Sequence, residues 1–225
     1  MLYAWSLDDD LHVVKMHDVA SRLGGFLAEG SVRVCYIYRD LRDVAASAKR
    51  ALGHRGDALI RVIADSVSHF ERLAELRAEF PDAVLWQRYE DVYGDLRAAI
   101  GDTARFLGVS DDSQTVEDVH DRCSLDAAAA ISDSAHGRLN DYVARLRERD
   151  PKVAAEFLQE LRRTGGTETR VWRDPDWLLH YNHISRDKGA PGAWVNSLSA
   201  NEATAIHTAF GDWLRSEGYH VADGA

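Results

Sequence analysis

The chain has 225 residues, of which 45% are hydrophobic and 28% charged, so it fits a globular domain and excludes a disordered or fibrous protein. Its net charge of −10 argues against nonspecific binding to nucleic acid or to an anionic membrane. Two cysteines cannot form a disulfide framework or a four-thiolate zinc site. The sequence has no apolar stretch of the roughly 20 residues that a membrane span needs. The start of the chain lacks the basic region of a signal peptide, which predicts a cytoplasmic protein.

Three short runs of apolar and β-branched residues predict strands, over residues 11–15, 32–38 and 83–87. Helical patterns alternate with these runs, over residues 18–29, 43–51, 57–80 and 96–107. This alternation predicts an α/β fold with a parallel sheet flanked by helices. Because the second strand is apolar, its Cys35 is expected to be a buried, reduced thiol.

The second half of the chain is expected to be mainly helical over residues 112–163 and irregular over 164–198. Ser199 and Glu202 have the spacing of a capping box and predict the start of a last helix. Its buried face is expected to carry Ile206, Phe210 and Leu214.

Polar side chains follow each predicted strand, where ligands bind in open α/β sheets. Lys15 and His17 follow the first strand, Arg39 and Ser47 the second, and Tyr89 the third. Cationic groups, hydroxyls and an imidazole suit an anionic ligand that lies beside a proton acceptor. The residues alone therefore predict a site that handles phosphate or sulfate.

Two segments resemble motifs of the sulfotransferases that use 3′-phosphoadenosine-5′-phosphosulfate (PAPS). Residues 13–17, Val-Val-Lys-Met-His, are similar to a strand that ends in Lys-Thr-His in that family. Residues 36–47 are similar to the family's 3′-phosphate motif, in which an arginine and a serine stand eight residues apart, as Arg39 and Ser47 do.

Two further segments follow in the family's order. Residues 88–91, Arg-Tyr-Glu-Asp, followed by Phe-Leu-Gly at 106–108, resemble the Tyr-Glu-Asp segment and the end of its next helix. Residues 186–194 resemble the loop of Arg-Lys-Gly-x-x-Gly-x-Trp type that covers the nucleotide. Four motifs in the same order are more specific than any one of them.

The resemblance implies a P-loop-NTPase-like sulfotransferase fold, PAPS as donor, 3′-phosphoadenosine-5′-phosphate (PAP) as product, and no metal. It implies that His17 is the general base and that Lys15 contacts the transferring group. The implied nucleotide contacts are Arg39, Ser47, Tyr89, Arg186, Lys188 and Gly189.

The resemblance also implies a single sulfotransferase-like domain over residues 1–225. Within it, residues 110–180 would be a variable, mainly helical region on the acceptor side, and 181–225 the nucleotide-covering loop and the C-terminal helix. The acceptor would be a hydroxyl or amine of a small molecule or glycan. The sequence leaves open whether the chain forms a homodimer.

Two departures from the family pattern bear on activity. The family begins with a strand and a Pro-Lys-x-Gly-Thr-Thr loop that cradles the 5′-phosphosulfate, and nothing similar precedes Lys15. This N-terminal strand and loop are therefore expected to be missing. Asp187 stands where the family usually has arginine, and a carboxylate there would repel a phosphate.

Three explanations of the missing loop stay open: a misplaced start codon, a fragment, or a degenerate relative. The alternative function is a truncated or catalytically inactive sulfotransferase-like module for binding or interaction. A nucleotide kinase-like relative ranks last, because it requires the same loop and magnesium ligands.

Overall fold

The computed structural model describes residues 13–14, 16, 19–164 and 189–221, which form two compact units. The first unit comprises residues 1–112 and 190–225, and the second comprises residues 113–189. A single domain over the whole chain stays a prediction.

The described elements, in chain order, are α1 (Leu23–Ala28), β1 (Val34–Tyr38), α2 (Leu41–Leu52), α3 (Asp57–Glu79), β2 (Val84–Arg88), α4 (Tyr89–Gly94), α5 (Leu96–Leu107), α6 (Ser113–Cys123), α7 (Leu125–Arg149), α8 (Pro151–Thr164) and α9 (Ala200–Ser216). Short 3₁₀ turns lie at Pro81–Ala83 and Ala193–Asn196. No helix among the described residues is both long and apolar enough to span a membrane.

The two strands form a parallel pair, in which Val34 lies opposite Val84 and Tyr38 lies opposite Arg88. Helices α2 and α3 connect them, as a parallel pair requires. The predicted α/β fold with a parallel sheet flanked by helices is confirmed. Because the two strands are aligned along their whole length, both end at the same edge of the sheet. The residues that directly follow Tyr38 and Arg88 are therefore neighbours.

The prediction of a buried first strand is wrong for its two described valines. Val13 and Val14 have irregular backbone, and the Val13 side chain is 88% exposed. A strand is stabilised by hydrogen bonds to a neighbour, and the described residues provide no partner for these two. Residues 11, 12 and 15 lie outside the described part of the chain.

The expectation that Cys35 is buried is also wrong, because its side chain is exposed. Side chains alternate between the faces of a strand. Tyr36 and Tyr38 turn toward Phe70 and Trp86, with ring centroids 4.8–6.4 Å apart. Cys35 therefore lies on the opposite face of β1, where Ile37 is also 49% exposed.

The main core of the first unit joins three helices that are distant in sequence. Leu41 of α2 and Ile63 of α3 pack in one cluster with Ile206 and Leu214 of α9. The side chains of Ile63, Ile206 and Leu214 are fully buried. The apolar pattern of the last helix predicts this burial for Ile206 and Leu214. Phe210 packs at the edge of this cluster and is only partly buried.

Further apolar clusters hold α1 in the first unit and pack α7 against α8 in the second. A cluster of leucines from α1 and α3 packs with Val84 of β2. In the second unit, Leu139 and Val143 of α7 pack against Phe157 of α8.

Candidate functional site

Arg39 occupies the turn between the end of β1 and the start of α2. Its guanidinium carbon lies 5.0 Å from the centroid of the Tyr89 ring. One terminal nitrogen lies 3.9 Å from a carboxylate oxygen of Asp43, and the side chain is 26% exposed. Its Nε is buried and has no hydrogen-bond partner among the described residues. A buried donor without a partner calls for an explanation, and a bound anion provides one.

Tyr89 reaches Arg39 because it is the first residue of α4, directly after β2. The parallel pair places it beside the residue that follows β1. Burial raises the pKa of the Tyr89 hydroxyl above its ordinary value, and the positive charge of Arg39 partly opposes that shift. The ring therefore supports the guanidinium from one side.

Asp43 lies one helical turn after Arg39 and is almost completely buried, with 1% of its side chain exposed. Its two carboxylate oxygens accept hydrogen bonds from the backbone N–H groups of Gly192, at 2.7 Å, and Trp194, at 2.9 Å. Burial raises the pKa of the Asp43 carboxyl, while these two donors and Arg39 oppose the shift. Asp43 thus attaches the segment from Gly192 to Ser199, called the C-terminal loop below, to α2.

Ser47 is half-buried on α2, one turn after Asp43. Residues four apart on a helix lie on one face. Asp43 and Ser47 therefore lie on one face of α2, Arg39 precedes that helix, and the segment from Gly192 to Trp194 contacts Asp43.

Arg42 makes a second contact with the C-terminal loop. Its guanidinium carbon lies 4.3 Å from the centroid of the Trp194 ring. The same guanidinium pairs with the buried Asp40 at 2.6 Å and donates to the backbone oxygen of His220 at 2.8 Å.

Lys49 makes a third contact, near the end of α2. Its ammonium group donates to the carbonyl oxygen of Ser197 at 3.0 Å and to Glu202 at 2.6 Å. Glu202 also closes the predicted capping box with Ser199, which begins α9. The helix that carries Ser47 therefore holds the segment from Gly192 to Glu202 at three places along its length.

Glu90 connects the ends of the two strands to Tyr219, which follows α9. Its carboxylate accepts hydrogen bonds from the backbone N–H of Asp40, from Arg88 Nε and from the Tyr219 hydroxyl, at 3.0–3.2 Å. Burial, followed by the charge of Glu90, raises the pKa of Tyr219 well above its usual range. The Glu of the Tyr-Glu-Asp segment therefore has a structural role in these contacts.

The structure brings two of the predicted site residues, Arg39 and Tyr89, into contact before the start of α2, and it places Ser47 in the middle of that helix. Gly189 is described and has a φ of 76°, which favours glycine. The other predicted site residues, Lys15, His17, Arg186 and Lys188, lie outside the described residues, as does Asp187.

The sequence reasoning considered Asp43 as an ion-pair partner of Arg39 and gave it no role in the site. The signal that could have shown such a role is its place midway between Arg39 and Ser47, at steps of four residues. That spacing puts its carboxylate near Arg39, although its partners 149 and 151 residues away cannot be read from the pattern.

The expectation that no metal takes part stays a prediction. Within the second unit, Glu117, His120 and Asp121 bring potential ligand atoms within 4.8 Å of one another. His120 Nδ1 lies 3.3 Å from the Asp121 carboxylate, so an ordinary hydrogen bond explains part of this grouping.

Comparisons with known proteins agree with the motifs. A family model described as a sulfotransferase domain matches residues 6–149. Sulfotransferase 4A1 of Mus musculus and that of Rattus norvegicus are each 30% identical to the chain over 124 residues. Each alignment covers 49% of this chain and 44% of the relative, so the chain spans less than half the length of these relatives. No solved structure matches the chain.

Proposed function

The chain belongs to the sulfotransferase family, and from this premise we propose that it transfers a sulfuryl group from PAPS to a hydroxyl or amine of a small-molecule or glycan acceptor. The observation that carries the proposal is the state of Arg39. Its guanidinium is supported by an aromatic ring, its Nε has no hydrogen-bond partner in the part of the chain that the structure describes, and its ion pair with Asp43 is long. Such a group is available to an anion.

The chemistry of the neighbouring residues fits a phosphate. Arginine presents donors in a fixed fork that matches phosphate oxygens, and the Ser47 hydroxyl can add another donor. The Asp43 carboxylate would oppose an anion, but two backbone donors already bind its oxygens. In the proposal, Arg39 and Ser47 therefore hold the 3′-phosphate, and Tyr89 lies beside the nucleotide.

The reaction would require the residues that follow the first predicted strand. His17 would take the proton of the acceptor as the acceptor atom bonds to sulfur and the bond from sulfur to the 5′-phosphate oxygen breaks. PAP would leave, and Lys15 would offset negative charge on the transferring group and the leaving phosphate. Arg186, Lys188 and Gly189 would cover the phosphates. Positioned positive side chains do this work in the proposal, so it includes no metal.

Calorimetry with PAP tests the nucleotide site. We expect micromolar binding to the unaltered chain and about tenfold to hundredfold weaker binding to Arg39→Gln, since a hydrogen bond to a charged group contributes about 1.5–3 kcal/mol. Arg61→Gln is the matched control, because Arg61 is exposed on α3. Equal affinity of Arg39→Gln and the unaltered chain would remove Arg39 from the site. No binding to the unaltered chain would favour the inactive binding module.

Turnover tests the proposed base. His17→Ala should abolish sulfuryl transfer from PAPS while leaving PAP affinity nearly unchanged, because a general base acts on the acceptor's proton and not on the nucleotide. The measurement is transfer of labelled sulfate to a panel of phenols, amines and glycans. Retained turnover in His17→Ala would show that another group takes the proton.

A further inference from the structure

The Asp43 carboxylate has two neighbours that can donate hydrogen bonds to it, the backbone of the C-terminal loop and the guanidinium of Arg39. Oδ2 accepts from the Gly192 N–H and Oδ1 from the Trp194 N–H, at ordinary hydrogen-bond lengths. The nearest guanidinium nitrogen of Arg39 lies 3.9 Å from Oδ1, which is too long for a hydrogen bond. Each oxygen of the Asp43 carboxylate therefore already accepts a backbone N–H of the C-terminal loop, and Arg39 makes only a long ion pair with it.

This arrangement has a consequence for Arg39. Arg39 precedes α2 and Asp43 lies in its first turn, so the two side chains are close enough for a direct charge-assisted pair to form. Such a pair would satisfy the guanidinium and leave fewer donors for a ligand. With the loop in place, Arg39 keeps a buried Nε for which residues 13–14, 16, 19–164 and 189–221 provide no hydrogen-bond partner.

We propose that Asp43 is a positioning residue of the anion site, which holds the loop at Gly192 and Trp194 on α2 and thereby keeps Arg39 open to a phosphate. The phosphate in this statement rests on the proposed function. The attachment of the loop by Asp43 does not, because it follows from two hydrogen bonds made within the protein.

Other contacts limit the expected effect to this part of the loop. Arg42 still contacts the Trp194 ring, and Lys49 still binds Ser197 and Glu202 when Asp43 is changed. The left-handed φ of 80° at Gly192 allows the turn that brings its N–H to the carboxylate. A change at Asp43 should thus free two N–H groups while α9 stays packed.

A competing interpretation makes the opposite prediction. If Asp43 were only a negative charge near the ligand, its removal would strengthen the binding of an anion. If Asp43 positions the loop and Arg39, its removal weakens binding. The sign of the change in affinity separates the two interpretations.

The first variant is Asp43→Asn, which keeps the shape but offers one acceptor oxygen and places an amide donor opposite a backbone donor. We expect the amides of Gly192 and Trp194 to exchange hydrogen about tenfold faster or more, measured by NMR without ligand. We expect PAP affinity to fall about tenfold by calorimetry. Asp65→Asn is the matched control, because Asp65 is exposed on α3.

A second variant perturbs the same hydrogen bond from the side of the loop, at Gly192. Gly192→Ala meets no atom within 4 Å but is strained by the positive φ, so it should displace the turn without a clash. It should shift amide exchange and PAP affinity in the same direction as Asp43→Asn, even if one variant folds poorly.

The outcomes separate this inference from the proposed function. Unchanged protection of the Gly192 and Trp194 amides in Asp43→Asn, or equal or tighter PAP binding, overturns the inference. If the unaltered chain does not bind PAP, the proposed function fails, and faster amide exchange in Asp43→Asn still supports the attachment of the loop.

Discussion

The guanidinium of Arg39 is held by an aromatic ring and by a weak ion pair, which is an unusual state for a half-buried arginine. The family resemblance implies that Tyr89 contacts the nucleotide, and that contact stays a prediction. The structure adds a contact that the spacing of the residues does not reveal, in which the Tyr89 ring makes a cation–π contact with Arg39. Both roles need the ring.

Substitution of Tyr89 tests its support of Arg39. Tyr89→Leu should weaken PAP binding by about two- to fivefold, because a partly exposed cation–π contact contributes roughly 0.5–1 kcal/mol. Tyr89→Phe retains the ring and is the matched comparison, so it should bind more tightly than Tyr89→Leu. Equal affinities in calorimetry would show that the ring does not position Arg39.

The residues of the site differ in how far their chemistry could be predicted. Arg39 and Ser47 were predicted because their types suit a phosphate and their spacing of eight residues matches the motif of the family. Asp43 was not, since an aspartate in the first turn of a helix is ordinary at this position. Its role depends on backbone donors that the fold delivers from about 150 residues away.

Among the elements, α2 has the most varied role, because it carries Ser47 on one face and binds the C-terminal segment along its length. Its last contact is the pair of Lys49 and Glu202. The hydrogen bond from Lys49 and the capping bonds of Ser199 lower the pKa of Glu202 to about 2. A carboxyl whose pKa is lowered on folding stabilises the fold above its ordinary pKa of 4.5, and this contribution is lost as pH falls toward about 2.

Removal of the ammonium group should therefore raise the pKa of Glu202. In Lys49→Met, we expect the Glu202 carboxyl to titrate at a higher pH than in the unaltered chain, and acid unfolding to begin at higher pH. Carbon-13 NMR of the carboxyl carbon measures the titration. Lys152→Met is the control, since Lys152 pairs with Glu156 on α8. An unchanged Glu202 titration in Lys49→Met would show that Lys49 does not hold this carboxylate.

Element ends were predictable where one local residue decides them. Pro81 follows the end of α3, Gly108 caps α5 with a φ of 74°, and Ser199 begins α9 through its capping box. The burial of the two faces of β1 was not predictable, because a strand whose residues are nearly all apolar does not indicate which face other elements cover. The exposure of Cys35 follows from where Phe70 and Trp86 pack, which is a tertiary property.

At the scale of the whole molecule, the first unit is assembled from the two ends of the described chain. Ile206 and Leu214 of α9 complete a core that α2 and α3 begin. The sequence predicted the α/β class and the buried face of α9. It did not predict that residues 113–189 form a compact unit of their own, since helical periodicity is the same whichever core a helix faces.

The core can be tested by removing one buried side chain. Ile206→Ala should lower the free energy of unfolding by about 2–5 kcal/mol, because it leaves a cavity where three helices meet. Urea unfolding followed by circular dichroism measures it. Leu52→Ala is the control, since Leu52 is 63% exposed and should change stability by less than about 0.5 kcal/mol. A similar loss in both variants would contradict the central place of Ile206.

The hydrogen bond between Asp43 and Gly192 spans 149 residues, and this separation bears on biosynthesis. At roughly 5–20 residues per second, a ribosome needs on the order of 10–30 seconds to make the intervening chain. Throughout that interval the two backbone N–H groups that bind the Asp43 carboxylate have not yet been made. Under the proposed function, the surroundings of Arg39 are therefore complete only after the chain has been made as far as Trp194.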